Sequence, residues 1–300
     1  MMLFVVTGSS GRLGSALCEK LGTTAIGIDP RPGQFTKFSC DQIEEAFKQI
    51  GGKSFVVFHA GALHKPDLKK FDDEQFVLHN VAFTAKLMKL SLALGSQMIK
   101  FIYTSTTSVF GSHMVERGSS CVWITNQSIP SPKNTYGLTK RWAEQLVCKN
   151  KGDDRFVILR ACRFFPEADD RETAHDGLTE ENLKFLHVLN GRRLLLEDVV
   201  ESHLAAIHFK SGSENVEILN LGNQVALSSD MDLKEHAGES LLRAYPVLKA
   251  VLEKRTEWSL PTSLDRVYDA RETFAKLNWK PKWNPVKVAN MILNEEKIPW

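Results

Sequence analysis

The sequence predicts an α/β chain, a doubly wound parallel sheet with a small, mostly helical C-terminal lobe, and three observations carry that expectation. Short apolar runs alternate with longer stretches of helical spacing through the first two-thirds of the chain. A glycine-rich turn follows the first run directly. Two segments then break the alternation. The predicted strands are Leu3–Thr7, Thr24–Asp29, Ser54–His59, Lys100–Ser105, Arg155–Arg160 and Val216–Leu221. The predicted helices are Leu13–Leu21, Ile43–Ile50, Gln75–Leu94, Leu138–Cys148 and Val199–Phe209. Strands separated by helices of this length make a parallel sheet covered on both faces. The interrupting segments are Pro166–Asn190, with one helix around Leu183–Leu189, and Asn223 onward, which is helical with scattered prolines. They form the expected lobe, which divides the chain into a core of residues 1–165 with 192–222 and a lobe of 166–191 with 223–300. The substrate is expected between lobe and sheet, at the C-terminal ends of the strands.

Composition narrows the function classes. Three hundred residues, 43% hydrophobic and 25% charged, describe a soluble globular chain with ample material for a core. A net charge of +2 is too mild to argue for a nucleic-acid partner. Cys18, Cys40, Cys121, Cys148 and Cys162 are scattered without a C-x-x-C spacing, so neither a zinc site nor a disulfide framework is indicated and a cytoplasmic setting fits. The nine histidines form no ligand cluster, and no metal is expected. Met1–Val6 has no basic flank and reads as a first strand, and no apolar run approaches the ~20 residues of a membrane span. Trp279-Lys280-Pro281-Lys282-Trp283 is read as packing and turn rather than a nucleic-acid patch.

The glycine turn is Thr7-Gly8-Ser9-Ser10-Gly11-Arg12-Leu13-Gly14, between a strand and a helix, the setting a dinucleotide fingerprint requires. Glycines let the backbone approach a pyrophosphate, which meets free N–H groups and the helix dipole. Asp29, 21 residues after Gly8, stands where an acid binds the adenosine ribose hydroxyls. Its charge would repel a 2′-phosphate and favours NAD, while Arg31, two residues on, keeps NADP as the alternative.

Tyr136 and Lys140 are four residues apart, so on a helix the phenol and the ammonium share a face. A phenol has a reference pKa of about 10, and acid–base work near neutrality needs roughly three units less, about 4 kcal/mol of preference for the tyrosinate. A nearby ammonium supplies part of that. Spacing alone does not select the pair, because Tyr245 and Lys249 repeat it.

Taken in order, the glycine turn, Asp29, the run Tyr103-Thr104-Ser105-Thr106-Thr107-Ser108-Val109-Phe110-Gly111 and the Tyr136/Lys140 pair resemble the extended short-chain dehydrogenase/reductases of the NAD-dependent epimerase/dehydratase family. Leu159-Arg160, Glu197-Asp198-Val199-Val200 and Leu277-Asn278-Trp279-Lys280-Pro281 look like further landmarks, so the resemblance covers nearly the whole length. It implies a Rossmann-like core and three catalytic residues: Thr106, which hydrogen-bonds the reacting oxygen, Tyr136, which exchanges the proton, and Lys140, which holds the nicotinamide ribose. It also implies cofactor contacts from Gly8, Ser10, Gly11, Arg12, Leu13, Gly14, Asp29, Arg31, Asp41, Gln42, Ala60, Gly61, Ala62, Asn80 and Thr104, with a homodimer as assembly. Asp41 has an alternative reading as a helix N-cap before Ile43, and Asn80 as a packing amide. Thr106, Thr107, Arg160 and Arg192 are the candidate substrate residues.

The chemistry implied is hydride and proton transfer at a secondary alcohol or ketone of a sugar, sugar nucleotide or other small hydroxylated compound. Thr107 and Ser108 stand where the family's dehydratases carry an acidic pair, which disfavours dehydration. Glu167, Asp169, Asp170, Glu172, Asp176, Glu180 and Glu181, against Arg171 alone, would oppose a diphosphate if they faced the pocket and so favour a smaller substrate. A solvated acidic face is the alternative. The competing class is a dinucleotide-sensing regulator that keeps the fold without catalysis.

Overall fold

The computed structural model describes residues 1–114, 121–165, 178–298 and 300. In chain order the elements are β1 (Leu3–Thr7), α1 (Arg12–Leu21), β2 (Ala25–Ile28), β3 (Thr36–Phe38), α2 (Ile43–Lys48), β4 (Phe55–His59), α3 (Asp73–Val77), α4 (Phe83–Ala93), β5 (Met98–Thr106), β6 (Val122–Ile124), α5 (Thr135–Val147), β7 (Phe156–Ala161) and β8 (Arg163–Phe165). They continue with α6 (Glu180–Leu189), β9 (Arg193–Leu195), α7 (Leu196–Ala206), β10 (Glu217–Asn220), α8 (Ala237–Ala244), α9 (Leu248–Lys254), β11 (Arg266–Tyr268), α10 (Arg271–Leu277) and α11 (Pro285–Leu293). The chain gathers into two units. One is Met1–Gly111, Pro130–Ala161 and Val200–Leu219, and the other is Ser112–Ile129, Cys162–Val199 and Asn220–Trp300.

The first unit is built on a seven-stranded sheet in the order β10-β7-β5-β4-β1-β2-β3. The pairings from β3 across to β7 are all parallel. The central strands are continuous apolar runs because both of their faces are covered: Val5, Val6, Phe55, Val56, Val57 and Phe58 have no exposed surface. The order starts at β1, runs outward to β3, and then reverses through β4 and β5, which makes β1 and β4 the switch point where such sheets bind ligands. One core lies under α2, α4 and α5, where Ile43, Phe47, Leu87, Ala143 and Val147 pack on Phe55, Phe101 and Phe156.

Helix α1 buries Leu13, Gly14, Leu17 and Cys18, a stripe at helical spacing. Helix α5 differs, because its buried face includes Tyr136, Thr139, Lys140 and Glu144. Lysine and glutamate are seldom buried without partners, and both have them here: Lys140 bonds the Thr104 carbonyl, and Glu144 pairs with Arg160. The start of α5 is also earlier than the spacing predicted. Asn134 takes the N-cap and accepts the Gly137 N–H at 2.9 Å, so Tyr136 lies inside the first turn. The predicted Gln75–Leu94 helix is interrupted by a π-helical turn at Leu78–Ala82. Edge strand β3 was not predicted, being three residues long and only half-buried.

The second unit holds its own core, in which Leu183, Leu186, Leu189, Leu241, Leu248, Val251, Val288 and Ile292 cluster. Two short parallel pairs, β6 with β11 and β8 with β9, complete it. The Asp198 carboxylate accepts the backbone N–H groups of Lys282 and Trp283, and the Trp279 ring meets Phe274 at 5.7 Å, so the aromatic-basic run is held by packing and turns. Tyr245 is buried, donates to the Leu189 carbonyl and accepts from Ala226 N–H, each at 2.8 Å. Burial pushes its phenol up to about 12, while Lys249 points to solvent. Among the described residues no helix is long and apolar enough to cross a membrane.

Candidate active site

The glycine turn closes the end of β1 against the loop after β4. Gly8 has φ +74°, and a Cβ there would lie 2.8 Å from the Gly61 backbone. A Cβ on Gly14 would lie 2.0 Å from the Gly8 carbonyl oxygen, so the first turn of α1 sits directly on the loop. Gly11 occupies the N-cap of α1, where no side chain caps the helix and no acid lies in the first turn. That end therefore keeps N–H groups and a positive dipole for an anion. Asp29, buried at the end of β2, accepts from Ser10 N–H at 3.1 Å and from Arg31 N–H at 2.9 Å, and pairs with the Arg31 guanidinium at 3.2 Å. A bare backbone cradle with a fixed carboxylate beside it fits a dinucleotide.

The loop Ala60-Gly61-Ala62-Leu63 is held by the side chain of Asn80. Its Oδ1 accepts Leu63 N–H at 2.8 Å, and its Nδ2 donates to the Leu63 carbonyl and to Thr139 Oγ1, both at 3.1 Å. The π-turn aims this amide, and such turns recur at functional positions. Asn80 thus connects the loop to the turn of α5 that carries Tyr136.

His59, which sequence reasoning did not single out, lies in a directed chain of hydrogen bonds. Gly61 N–H donates to Thr7 Oγ1, and Thr84 Oγ1 donates to the Asn80 carbonyl. The Thr7 hydroxyl is then left to donate to His59 Nδ1 at 2.7 Å, and His59 Nε2–H to Thr84 Oγ1 at 2.8 Å. Burial first, then the Lys140 charge, hold the imidazole's pKa well below the usual range, and a neutral ring with its proton on Nε2 fits this bonding. The only signal in the sequence was a histidine ending an otherwise apolar strand.

Tyr136 and Lys140 share the buried face of α5. Lys140 Nζ donates to the Thr104 carbonyl at 2.6 Å and lies 4.1 Å from the centre of the Tyr103 ring. Burial lowers its pKa to about 7, with Glu144 opposing the shift. The Thr104 hydroxyl meets His203 Nε2 at 2.8 Å. Thr106 ends β5 and accepts Ser108 N–H at 3.0 Å, leaving its hydroxyl hydrogen to donate elsewhere, and Thr107 follows it, buried. The His64 ring stands edge-on to Tyr136 with centroids 6.1 Å apart.

Other expected residues lie elsewhere. Arg160 is buried, and its fork grips both oxygens of Glu144 at 2.8 Å, so that charge is matched inside the protein rather than offered to a substrate. Arg192 belongs to the second unit, 3.7 Å from Asp265. Asp41 is exposed and does not cap α2, because Gln42 holds that position and accepts Ser39 N–H at 3.0 Å. Of the acidic run, Glu180 and Glu181 open α6, while Glu167, Asp169, Asp170, Glu172 and Asp176 lie outside the described residues.

A doubly wound parallel sheet with a glycine turn after its first strand and an acid after its second defines a dinucleotide-binding α/β protein. More narrowly, the chain belongs to the NAD dependent epimerase/dehydratase family, whose model matches residues 4–222. It is 29% identical to methionine adenosyltransferase 2 subunit beta of Xenopus laevis over 166 residues, 52% of this chain and 45% of that relative, so the match spans just under half of the relative's length. Its fold is similar to UDP-glucose 4-epimerase of Thermotoga maritima, solved with UDP-glucose (TM-score 0.61, 17% identity, 98% of each chain covered). It is similar also to UDP-glucuronic acid 4-epimerase of Bacillus cereus, solved with UDP-glucuronic acid and NAD (TM-score 0.60, 20% identity, 98% of each chain covered).

Proposed function

We propose that the protein binds NAD along Gly8–Gly14, Asp29 and the Ala60–Ala62 loop and catalyses proton-coupled hydride transfer at a secondary alcohol or ketone of a sugar, sugar nucleotide or similar hydroxylated compound. The observation that carries this reading is the buried face of α5, on which Lys140, bonded to the carbonyl of Thr104, lies one turn from Tyr136. When bound, the nicotinamide supplies the hydride acceptor or donor. Tyr136 takes the proton from the substrate hydroxyl and returns it in the reverse direction, and the protonated form of Lys140 favours the tyrosinate. Thr106 donates a hydrogen bond to the reacting oxygen. Asp29 favours NAD over NADP by repelling a 2′-phosphate, even with Arg31 beside it.

UDP-sugars in the similar solved structures support the sugar-nucleotide arm of the substrate class. Calorimetry with UDP-glucose against the free sugar separates the two arms. Tyr136→Phe tests the mechanism: turnover is expected to fall about 10²- to 10⁴-fold with NADH binding retained, and undiminished turnover would refute the assignment.

A non-catalytic regulatory role on the same fold is the second reading, favoured by the likeness to a protein named as a subunit of another enzyme. NAD-dependent binding to a partner without any turnover would select it. A homodimer belongs to the same proposal: Leu138 and Trp142, 37% and 40% exposed, line the outer face of α5, and Leu78 on the π-turn is 58% exposed. Trp142→Glu is expected to convert a dimer to a monomer in sedimentation. A cytoplasmic setting is proposed on the same footing, since no disulfide joins the five cysteines.

A further inference from the structure

Helix α5 buries three ionisable side chains at four-residue intervals, Tyr136, Lys140 and Glu144, and only the first two enter the proposed proton exchange. Glu144 has no exposed surface and is the most heavily bonded of the three. Ser105 Oγ donates to its Oε1 at 2.6 Å, Arg160 Nε and Nη2 donate to Oε1 and Oε2 at 2.8 Å each, and Arg141 Nη1 donates to Oε2 at 3.0 Å. Ser105 and Arg160 are register partners on β5 and β7, so one carboxylate fastens α5 to two adjacent strands at a single level of the sheet. The residues flanking Ser105 are Thr104, whose carbonyl receives Lys140, and Thr106, at the proposed reaction centre. The Arg160 guanidinium is fixed in turn over the Phe110 ring, 5.0 Å from its centre.

We propose that Glu144 is a positioning residue: it sets α5 in register on β5 and β7, and it is the buried anion that keeps Lys140 charged beside Tyr136. Other groups around Lys140 cannot do this. The Tyr103 ring faces it from β5, His59 from β4 and His64 from the following loop, His203 reaches the same strand from α7, and Tyr136 and Arg141 share its helix. His59 and His64 are both held below the usual histidine range, first by burial and then by the charge of Lys140 itself. Glu144 alone among these groups opposes the loss of the lysine's proton. Arg160 and Ser105 hold the carboxylate still.

The proposal rests on Tyr136 and Lys140 serving a nicotinamide, and its test separates the two ideas. Protein with labelled lysine side chains, free of cofactor, is titrated by NMR, with the Lys140 signal assigned through Lys140→Met. Glu144→Gln is expected to move the Lys140 midpoint down by about one pH unit or more, a tenfold smaller protonated fraction at a given pH. Ser105→Ala, which removes a hydrogen bond but no charge, is expected to leave the midpoint in place. Should Glu144→Gln fail to fold, Glu144→Gln/Arg160→Gln is titrated against Arg160→Gln, so that the two proteins compared differ only in the carboxylate. An unchanged midpoint in a folded variant overturns the proposal. NADH binding by the wild-type protein is measured in parallel by fluorescence; its absence would remove the functional reading, while the titration still decides the role of Glu144.

Discussion

At the scale of single residues, burial takes water from Lys140 and leaves its ammonium a carbonyl oxygen and a tyrosine face. The folded chain therefore releases this proton at about pH 7, whereas an unfolded lysine keeps it to about 10.4. Between those values the unfolded chain binds the extra proton, so raising the pH stabilises the fold; the contribution is complete above the unfolded value and lost as pH falls through the folded one. Cofactor-free wild type is expected to gain about 2 kcal/mol relative to Lys140→Met between pH 7 and 9, measured by urea unfolding at each pH. A constant difference would show that Lys140 is not buried as described. The same residues show what the sequence could not reveal. Tyr136/Lys140 and Tyr245/Lys249 have one spacing, yet Tyr245 is a core phenol bonded at both lone pair and proton, and its lysine is in water. Likewise an arginine at the end of a strand reads as a substrate ligand until its partner is known, and the partner of Arg160 lies on a helix 16 residues earlier.

At the scale of elements, the glycine turn and α5 are the pieces whose local chemistry is most exposed to test. Gly14→Ala places a methyl against a backbone oxygen that no rotamer change can move, and a loss of about 1–3 kcal/mol is expected, with weakened NADH binding, by thermal melting and fluorescence titration. Asn134→Ala removes the cap of α5 and is expected to lower stability by about 1 kcal/mol in urea. Gly14 was legible because strand, glycine spacing and helix follow one another directly. The early start of α5 was not, since Thr135, Tyr136 and Gly137 are weak helix formers and the start depends on one side-chain bond. β1 and β4 were readable as apolar runs, but β3 is fixed by its pairing with β2 rather than by any pattern of its own. The π-turn left no trace in the spacing, although it aims Asn80 at Leu63 and Thr139.

At the scale of the whole molecule, each unit has its own core, and the residues of the proposed cofactor track lie in the sheet-bearing one. The alternation that fixes a parallel sheet is a property of long stretches and survives in the sequence; the paired three-residue strands of the second unit join distant segments and do not. Ligand binding is the global test. NAD at one hundred times its Kd is expected to stabilise the protein by about 2.7 kcal/mol, seen as a rise in Tm, and NADP at the same concentration to do less. An equal or larger rise with NADP would transfer the role of Asp29 to Arg31. The chain of bonds through His59 adds a limit on the acid side. Every donor in it, from Gly61 N–H to Thr84, points one way while the imidazole is neutral, and a second proton on Nδ1 would turn the Thr7 hydroxyl from donor to acceptor. Below about pH 6.5 the unfolded chain takes up a proton that this buried imidazole resists, so mild acid draws down the stability of the fold held at the seam of β1 and β4, beneath the very loop that is proposed to receive the cofactor.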